Sequence, residues 1–245
     1  MKMSDYSYTV PWNFQPAEMS AVVPEASSAL CVEDFEKDDA ARHRLLRRLA
    51  PALRHDLLGA LQVPEFMLGM IEKRLRSANP DLFNIREDVA LLRIASDKAL
   101  SSSMSVMSWI EPDGAQTADV DTAVFDCLAM LSSPLKLRGF NLVNDVVGIN
   151  GRLSVTAVRQ VLSAALIALS DQSEAPAALL VEAQAMPGHI ELSIFLCPTD
   201  KAPTFFGAKE DRPLGWHDVE ALARAQSVQL TLTPIGMHLT FTCAA

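Results

Sequence analysis

The fold of this chain is decided by residues 45–76, which read LLRRLAPALRHDLLGALQVPEFMLGMIEKRLR. Apolar side chains recur in this stretch at alternating spacings of three and four residues, a pattern that predicts one long amphipathic helix. The predicted seam consists of Leu46, Leu49, Leu53, Asp56, Ala60, Val63, Met67 and Met70. In the middle of this helix lies the dipeptide His55-Asp56, preceded by Arg54.

A second long helix is predicted from about residue 84 to residue 110, after the turn-forming stretch SANPD at 77–81. Its seam has the same alternating spacing and consists of Ile85, Val89, Leu92, Ser96, Ala99, Ser103, Val106 and Ile110. Two long helices joined by a short turn form a helical hairpin. Because one hairpin cannot cover both seams along their whole length, we expect two copies to pair into a four-helix bundle, which makes the protein a homodimer.

The rest of the chain follows the pattern of an α/β sandwich. Helices are expected at 120–137, 158–169 and 216–226, and strands at 139–147, 179–186, 189–196, 228–233 and 237–243. This order favours a two-layer sandwich with a mixed or antiparallel sheet. The predicted fold is therefore α+β, with a flexible leader over 1–33, the helical hairpin over 34–114 and the α/β sandwich over 119–245.

Composition and charge exclude several classes of protein. The net charge of −9 argues against a nucleic-acid binder, which would present a basic surface. The four cysteines show no metal-ligand spacing, which indicates free thiols in a reducing compartment. No apolar run reaches the roughly 18 residues that a membrane span requires, and the first residues lack the apolar core of a secretory signal. We therefore expect a cytoplasmic protein without a membrane span.

The pair His55-Asp56 has a chemical meaning in the middle of such a hairpin. A neutral imidazole can attack a phosphoryl group, and a carboxylate beside it can hold the other ring N–H and fix the tautomer. Two structural explanations stay open: His55 can be an ordinary helix residue in a bundle that serves dimerisation, and Asp56 can be a polar residue that sets the register of the seam.

Over residues 36–245 the chain resembles the sensor histidine kinases, which join a dimerisation and histidine-phosphotransfer hairpin to an ATP-binding domain. The family's histidine is followed by an acidic residue and then an apolar one, as in His55, Asp56 and Leu57. The resemblance implies catalytic roles for His55 and Asp56. It also implies that Arg54, Leu58 and Gly59 contact a partner protein.

The same resemblance fails at the positions that bind the nucleotide. The family's metal-binding and nucleotide-binding helix has asparagines where this chain has Ala164 and Ala168, and alanine offers no oxygen to Mg²⁺. The family's adenine-binding Asp and the first glycine after it are matched by Leu196 and Pro198, and of a later glycine-rich box Gly215 remains. The sandwich is thus similar to a degenerate ATPase domain, as in histidine phosphotransferases that descend from kinases.

The resemblance implies a histidine phosphotransferase of a bacterial two-component phosphorelay. Such a protein passes a phosphoryl group between the aspartates of response-regulator receiver domains, here through His55. It needs no cofactor of its own, because the receiver supplies the Mg²⁺. The alternatives are a divergent histidine kinase that still uses ATP, and a non-catalytic dimeric scaffold or binding protein.

Overall fold

The structure is a computed structural model that describes residues 28–110, 114–173, 175–199 and 213–244, with side chains from residue 35 onward. The predicted leader over 1–33 lies outside the described residues as far as residue 27, and the first helix already begins at Ser28. The predicted fold class is confirmed, because a helical hairpin is followed by an α/β sandwich with a mixed sheet. Among the described helices, none is both long and apolar enough to cross a membrane.

The hairpin consists of helix α1 (Ser28–Leu75) and helix α2 (Leu82–Ile110). The carboxylate of Asp81 accepts hydrogen bonds from the backbone N–H groups of Phe83 and Asn84, at 3.0 and 3.2 Å. This N-cap satisfies two of the backbone donors that a helix start leaves unpaired. The helix therefore restarts directly after the turn, and α2 runs back along α1.

The buried face of α1 agrees with the predicted seam at Leu49 and Leu53 and differs from it at other positions. In the N-terminal half, the buried side chains are Ala41, Leu45, Leu49 and Leu53. The predicted position Asp56 is exposed, and Leu46 is half-buried whereas its neighbour Leu45 is buried. The reason is that the first half of α1 packs against the sandwich, which covers a different face of the helix from the one that faces α2.

The sandwich follows the hairpin and packs its helices against one face of a central sheet. Its elements are β1 (Thr117–Asp119), α3 (Val120–Leu137), β2 (Asn141–Asp145), β3 (Arg152–Ser154), α4 (Val155–Ala157), a π-helical turn (Val158–Leu162), α5 (Ser163–Gln172), β4 (Ala177–Met186), β5 (His189–Pro198), α6 (Trp216–Ala225), β6 (Gln229–Thr233) and β7 (Gly236–Thr242). The described strands form a sheet in the order β2-β4-β5-β7-β6. The β2–β4 pair is parallel and the other pairs are antiparallel.

A second, two-stranded ribbon of β1 and β3 was not predicted from the sequence. Each strand has three residues, which is too short for an alternating pattern to show. The backbone N–H of Val120 also bonds to the carbonyl of Gly151, and that of Val155 to the carbonyl of Gln116. The ribbon thus ties the start of α3 to the start of α4.

The core of the sandwich lies between the helices and one face of the sheet. Helix α5 is buried on all sides from Ser163 to Asp171, as expected for a helix with no polar face. The strands alternate, and their inward side chains include Leu179, Val181, Ile190, Leu192, Ile194, Met237, Leu239 and Phe241. Leu45, Leu49, Leu53, Val106 and Trp109 of the hairpin belong to the same continuous core.

A buried ionic cluster fixes α1 against the sandwich. The side chain of Asp171 is 1% exposed. Its carboxylate accepts hydrogen bonds from Nη2 of Arg48 and from Nη1 of Arg138, each at 2.7 Å. Its second oxygen accepts the backbone N–H of Leu214 at 2.9 Å. One carboxylate at the end of α5 therefore joins α1, the C-terminal end of α3 and the segment that enters α6.

Further contacts strengthen this junction at two other places. Arg44 of α1 donates to the buried carboxylate of Asp218 on α6. At the end of α2, the guanidinium of Arg159 lies 5.0 Å from the ring centroid of Trp109, and its Nη1 donates to Oγ of Ser108 at 2.7 Å. Burial lowers the pKa of Arg159 from its ordinary value. The hairpin is thus held to the sandwich through both of its helices.

Gly236 at the start of β7 allows two strands to approach closely, and we expect Gly236→Ala to destabilise the protein. A Cβ at this position would lie 1.9 Å from the carbonyl oxygen of Ile194, a backbone atom that cannot move aside cheaply. The strain costs about 3 kcal/mol, at the upper end for overpacking. Urea unfolding measures it. Gly69→Ala on α1 is the control, because its Cβ meets nothing within 4 Å and should stabilise by about 0.5–1 kcal/mol. Equal stability of the two variants would contradict the prediction.

Candidate functional site

His55 lies near the middle of α1 with its side chain directed into solvent. The imidazole is 83% exposed and Asp56 is 52% exposed, and Nδ1 of His55 lies 3.4 Å from Oδ1 of Asp56. When Asp56 accepts the Nδ1 proton, the tautomer places the lone pair on Nε2. Among the described residues none hydrogen-bonds to Nε2. The geometry leaves that nitrogen free to act as a nucleophile toward a group that comes from outside.

The structure places all the residues predicted for the site on one stretch of α1. Arg54, Leu58 and Gly59 are exposed, and Gly59 lies one helical turn after His55. A Cβ added to Gly59 would meet nothing within 4 Å, so the surface beside the imidazole is open. These contacts with a partner remain predictions, because the structure contains one chain.

His55 and Asp56 lie at the edge of a cleft between α1 and the sandwich. Its volume is about 1130 Å³. The α1 wall consists of Pro51, Ala52, His55 and Asp56, and the opposite side consists of Ala129, Met130, Ser133, Pro134, Lys136, Leu137, Gly139, Phe140, Asn141, Ala177, Ala178 and Thr199. The sequence prediction did not include the residues of this second wall. The residues that form it are separated from His55 by more than seventy positions, and nothing in their pattern marks them as neighbours of α1.

Two of the positions at which the resemblance expects nucleotide ligands are occupied by core alanines. Ala164 and Ala168 are fully buried in the core of the sandwich. The backbone N–H of Leu196 donates to the carbonyl of Ile235 at 2.9 Å, which ties the end of β5 to the β6–β7 turn. Gly215 precedes α6, and its N–H donates to Asp218.

Two other groups of reactive side chains lack the geometry of a catalytic site. Burial raises the pKa of Cys127 to about 12, so this buried residue is a neutral thiol and not a nucleophilic thiolate. On the outer face of the sheet, Ser193 and Glu191 both approach the same ring nitrogen of His238, Nδ1, at 2.8 and 3.2 Å. A relay would need the serine and the carboxylate on opposite nitrogens.

The sequence prediction also missed the buried carboxylates of Asp171 and Asp218, which pair with arginines of α1. No sequence pattern marks the pairing of Arg48 with Asp171. The two residues of this ion pair are 123 positions apart. The one indication of a buried ion pair in the sequence is weak: Asp171 lies near the end of an otherwise apolar helix.

Comparisons with known proteins give structural similarities of low identity. No protein-family model and no curated protein matches the chain. The histidine kinase AdeS of Acinetobacter baumannii is similar with a TM-score of 0.42 and 15% identity, over 78% of this chain and 98% of that one. A histidine kinase from Burkholderia phymatum STM815 has a TM-score of 0.36 and 13% identity, over 83% and 98% of the two chains. A structure described as a bacterial phosphotransferase has a TM-score of 0.34 and 14% identity, over 90% of this chain and 100% of that one.

Proposed function

We propose that this protein is a histidine phosphotransferase of a bacterial two-component phosphorelay, in which His55 carries the phosphoryl group between receiver-domain aspartates. The observation that carries the proposal is the exposed imidazole whose Nδ1 faces Asp56 and whose Nε2 faces solvent. The exposed imidazole is accessible to a group that a second protein carries. Its partner must therefore bring the reacting group to it.

In the proposed reaction, the lone pair of Nε2 attacks the phosphorus of a receiver's aspartyl phosphate. The N–P bond forms while the O–P bond breaks, and the receiver's carboxylate leaves with the electron pair. Asp56 stabilises the positive charge that develops on the ring, because it accepts the Nδ1 proton in a hydrogen bond. Transfer to a second receiver is the same step in reverse. The Mg²⁺ that screens the phosphoryl charge belongs to the receiver in this proposal.

The proposed reaction does not require this protein to bind a nucleotide. The fully buried Ala164 and Ala168 support that part of the proposal, since they fill the core where the kinases have ligand asparagines. We accordingly propose that the phosphoryl group enters from another protein in the cytoplasm. Saturable binding of ATP in a calorimetric titration would favour the alternative of a divergent kinase.

The proposal includes a homodimer, because the hairpin exposes a large apolar surface. Between Asp56 and the end of α1, Ile71 is the one buried residue among the described positions. Exposed apolar side chains of the hairpin include Leu61, Val63, Phe66, Leu68, Leu82, Phe83, Val89, Leu91, Ile94, Leu100, Met104 and Met107. A surface of this kind on two long helices is typical of half a four-helix bundle.

We expect Phe66→Glu and Ile94→Glu to separate the two copies. Each change would bury two unpaired carboxylates in a symmetric interface and should raise the dimer dissociation constant about 100-fold or more. Sedimentation velocity measures the change. Thr122→Glu, on the exposed surface of α3, should leave the association unchanged. A wild-type protein that sediments as a monomer at micromolar concentration would refute the dimer.

The function is tested by phosphotransfer from receivers. A panel of purified receiver domains, each phosphorylated with a labelled phosphodonor, is mixed with the protein, and the label on each chain is followed over time. We expect rapid transfer from at least one receiver to a bond that is stable in alkali and labile in acid, as a phosphoramidate is. No label on the protein with any receiver would refute the proposal.

Asp56→Asn should slow this transfer by about 10–100-fold, the size of effect found when the carboxylate behind a metal-binding histidine is removed. The amide has the shape of the carboxylate, but its oxygen carries no charge to stabilise the imidazolium. Asp56→Glu should retain most of the rate if its longer carboxylate reaches Nδ1. Single-turnover kinetics with a phosphorylated receiver separate this effect from binding, and an unchanged rate in Asp56→Asn would show that Asp56 has no part in the step.

A further inference from the structure

The cleft beside His55 carries charged side chains on both of its walls. Asp56 on α1 contributes a carboxylate, and Lys136 on the opposite wall contributes an ammonium. Among the described residues that line the cleft, Lys136 is the one lysine or arginine. Its side chain is exposed, and no carboxylate in the described part of the chain forms an ion pair with it. The ammonium is therefore available to a negative group that forms in the cleft.

The ionic cluster around Asp171 fixes where Lys136 lies relative to His55. Lys136 is in the last turn of α3, two residues before Arg138. Arg138 and Arg48 share the carboxylate of Asp171, and Arg48 lies on α1 about two helical turns before His55. One buried carboxylate thus connects the end of α3 to the part of α1 that carries the imidazole. Lys136 and His55 consequently face the same cleft in a fixed arrangement.

Phosphorylation of His55 would add negative charge to the α1 wall. A phosphoryl group brings close to two negative charges at neutral pH. It would join the carboxylate of Asp56, whose Oδ1 lies 3.4 Å from Nδ1 of the same imidazole, in a chain with a net charge of −9. Like charges this close repel each other. A cation across the cleft offsets part of that repulsion, and the mainly apolar lining of the cleft focuses its field.

Lys136 also has a purely structural explanation. A lysine in the last turn of a helix interacts favourably with the carbonyl end of the helix dipole, and Lys136 is the basic residue in the last turn of α3. This role changes the stability of the fold and leaves the phosphorylated state of a distant histidine unaffected. The two explanations therefore differ in a quantity that can be measured.

We propose that Lys136 stabilises the phosphorylated form of His55 through the charge that it places across the cleft. This inference rests on the proposed function, because it takes His55 as the acceptor. It adds a residue of the sandwich that sets how strongly the phosphoryl group is held. The effect belongs to the protein on its own and requires no bound partner. Loss of this charge should therefore shift the equilibrium of transfer toward the phosphorylated receiver.

The first test uses the free protein and phosphoramidate, a small donor of phosphoryl groups to histidines. Nε2 of His55 attacks its phosphorus, the P–N bond of the donor breaks, and ammonia leaves. The phosphorus resonance that is present in the wild type and absent in His55→Ala identifies the phosphohistidine, and its position is followed against pH. Lys136→Glu should raise the pKa of the phosphoryl group by about 0.5 or more, because an ammonium favours the dianion and a carboxylate disfavours it. Lys136→Arg should titrate like the wild type.

Lys73→Glu is the matched control. Lys73 is exposed and basic in the last turn of α1, so that the variant makes the same change at a helix end as Lys136→Glu. It lies 18 positions after His55, which is about 27 Å along the helix and well beyond the distance at which salt screens exposed charges. The pKa of the phosphoryl group should therefore stay as in the wild type. Salt at about 0.5 M should reduce the effect of Lys136→Glu, because the attraction is screened.

A second measurement uses the receiver that transfers fastest in the panel described above. At concentrations well below the dissociation constant of the complex, the final ratio of phosphorylated protein to phosphorylated receiver depends on the energies of the free species. Lys136→Glu should lower this ratio by about threefold or more, the equivalent of the expected change in pKa. A variant that only weakened binding of the receiver would slow the approach to equilibrium and leave the final ratio unchanged.

The outcomes separate the inference from the proposed function. If Lys136→Glu titrates like Lys73→Glu, the inference is refuted, and transfer from receivers decides on the phosphotransferase independently. If Lys136→Glu shifts the titration although no receiver phosphorylates His55, the role of Lys136 stands and the phosphotransferase is refuted. If phosphoramidate does not label His55, the inference is refuted as well, because the cleft then does not accommodate a phosphoryl group on Nε2.

Discussion

Replacing His55 with alanine is expected to abolish phosphoryl transfer to this protein. The imidazole is the proposed acceptor, and a methyl group in its place offers no lone pair for the N–P bond. We expect at least a 1,000-fold loss of label, which is the limit of most single-turnover measurements. His55→Gln should be equally inactive, because the amide nitrogen is not nucleophilic. Neither change should affect stability by more than about 0.5 kcal/mol, since the side chain is exposed.

His43 provides the matched control for this experiment. It is exposed on α1 about three helical turns before His55, and it does not line the cleft. His43→Ala should accept the phosphoryl group at the wild-type rate. If His55→Ala is still labelled and His43→Ala is not, the wrong histidine has been assigned. If both variants are labelled, the acceptor is another residue and the proposed mechanism fails.

Replacing Asp171 with alanine is expected to be the most destabilising single change in this part of the chain. It would leave the guanidinium groups of Arg48 and Arg138 without the carboxylate that they share, and the N–H of Leu214 without its acceptor. Breaking a buried ion pair from one side costs about 3–5 kcal/mol. Urea unfolding at neutral pH measures the loss. Asp145→Ala on the exposed strand β2 should stay within about 0.5 kcal/mol of the wild type.

A combined variant identifies the reason for that loss. The combined variant carries Arg48→Met, Arg138→Met and Asp171→Leu, so that apolar residues replace the whole cluster. If unpaired buried charges cause the loss in Asp171→Ala, this variant should regain much of the stability. If the cluster acts mainly by shape, the triple variant should be less stable than Asp171→Ala. A loss below about 1 kcal/mol in Asp171→Ala would show that the carboxylate does not hold α1 to the sandwich.

The sequence predicted the long elements of this fold well because their periodicity is a local property. Helix α3 has the predicted bounds of Val120 and Leu137, and the hairpin of β4 and β5 was found from alternation around Pro187 and Gly188. The three-residue strands β1 and β3 have no room for a pattern and were missed.

The face of a helix that is buried depends on its neighbours, and for this reason the seam of α1 was predicted with an error. The 3-4 pattern placed Leu46 and Asp56 on the buried side, whereas Leu45 is buried and Asp56 is exposed. A sequence in which Leu45 and Leu46 are both apolar does not distinguish the two faces. Which face of α1 is buried depends on α3 and α6, which pack against α1 from distant parts of the chain.

The residues proposed for the site could be predicted because they are adjacent in sequence and because the chemistry of a His-Asp pair is local. The structure places His55 and Asp56 in contact as expected. It also adds the cleft, whose second wall includes Ser133 and Lys136. Long-range proximity of this kind has no signal in one sequence, and the same holds for the pairing of Arg48 with Asp171.

The length of α1 limits how this protein could have been assembled from parts. At about 1.5 Å per residue the 48-residue helix is about 72 Å long, and its first half supplies Leu45, Leu49 and Leu53 to the core of the sandwich. A hybrid that took the hairpin from one relative and the sandwich from another would join two halves of one core. Recombination at the loop after α2 is therefore unfavourable here, and inheritance should keep α1 and the sandwich together as one unit.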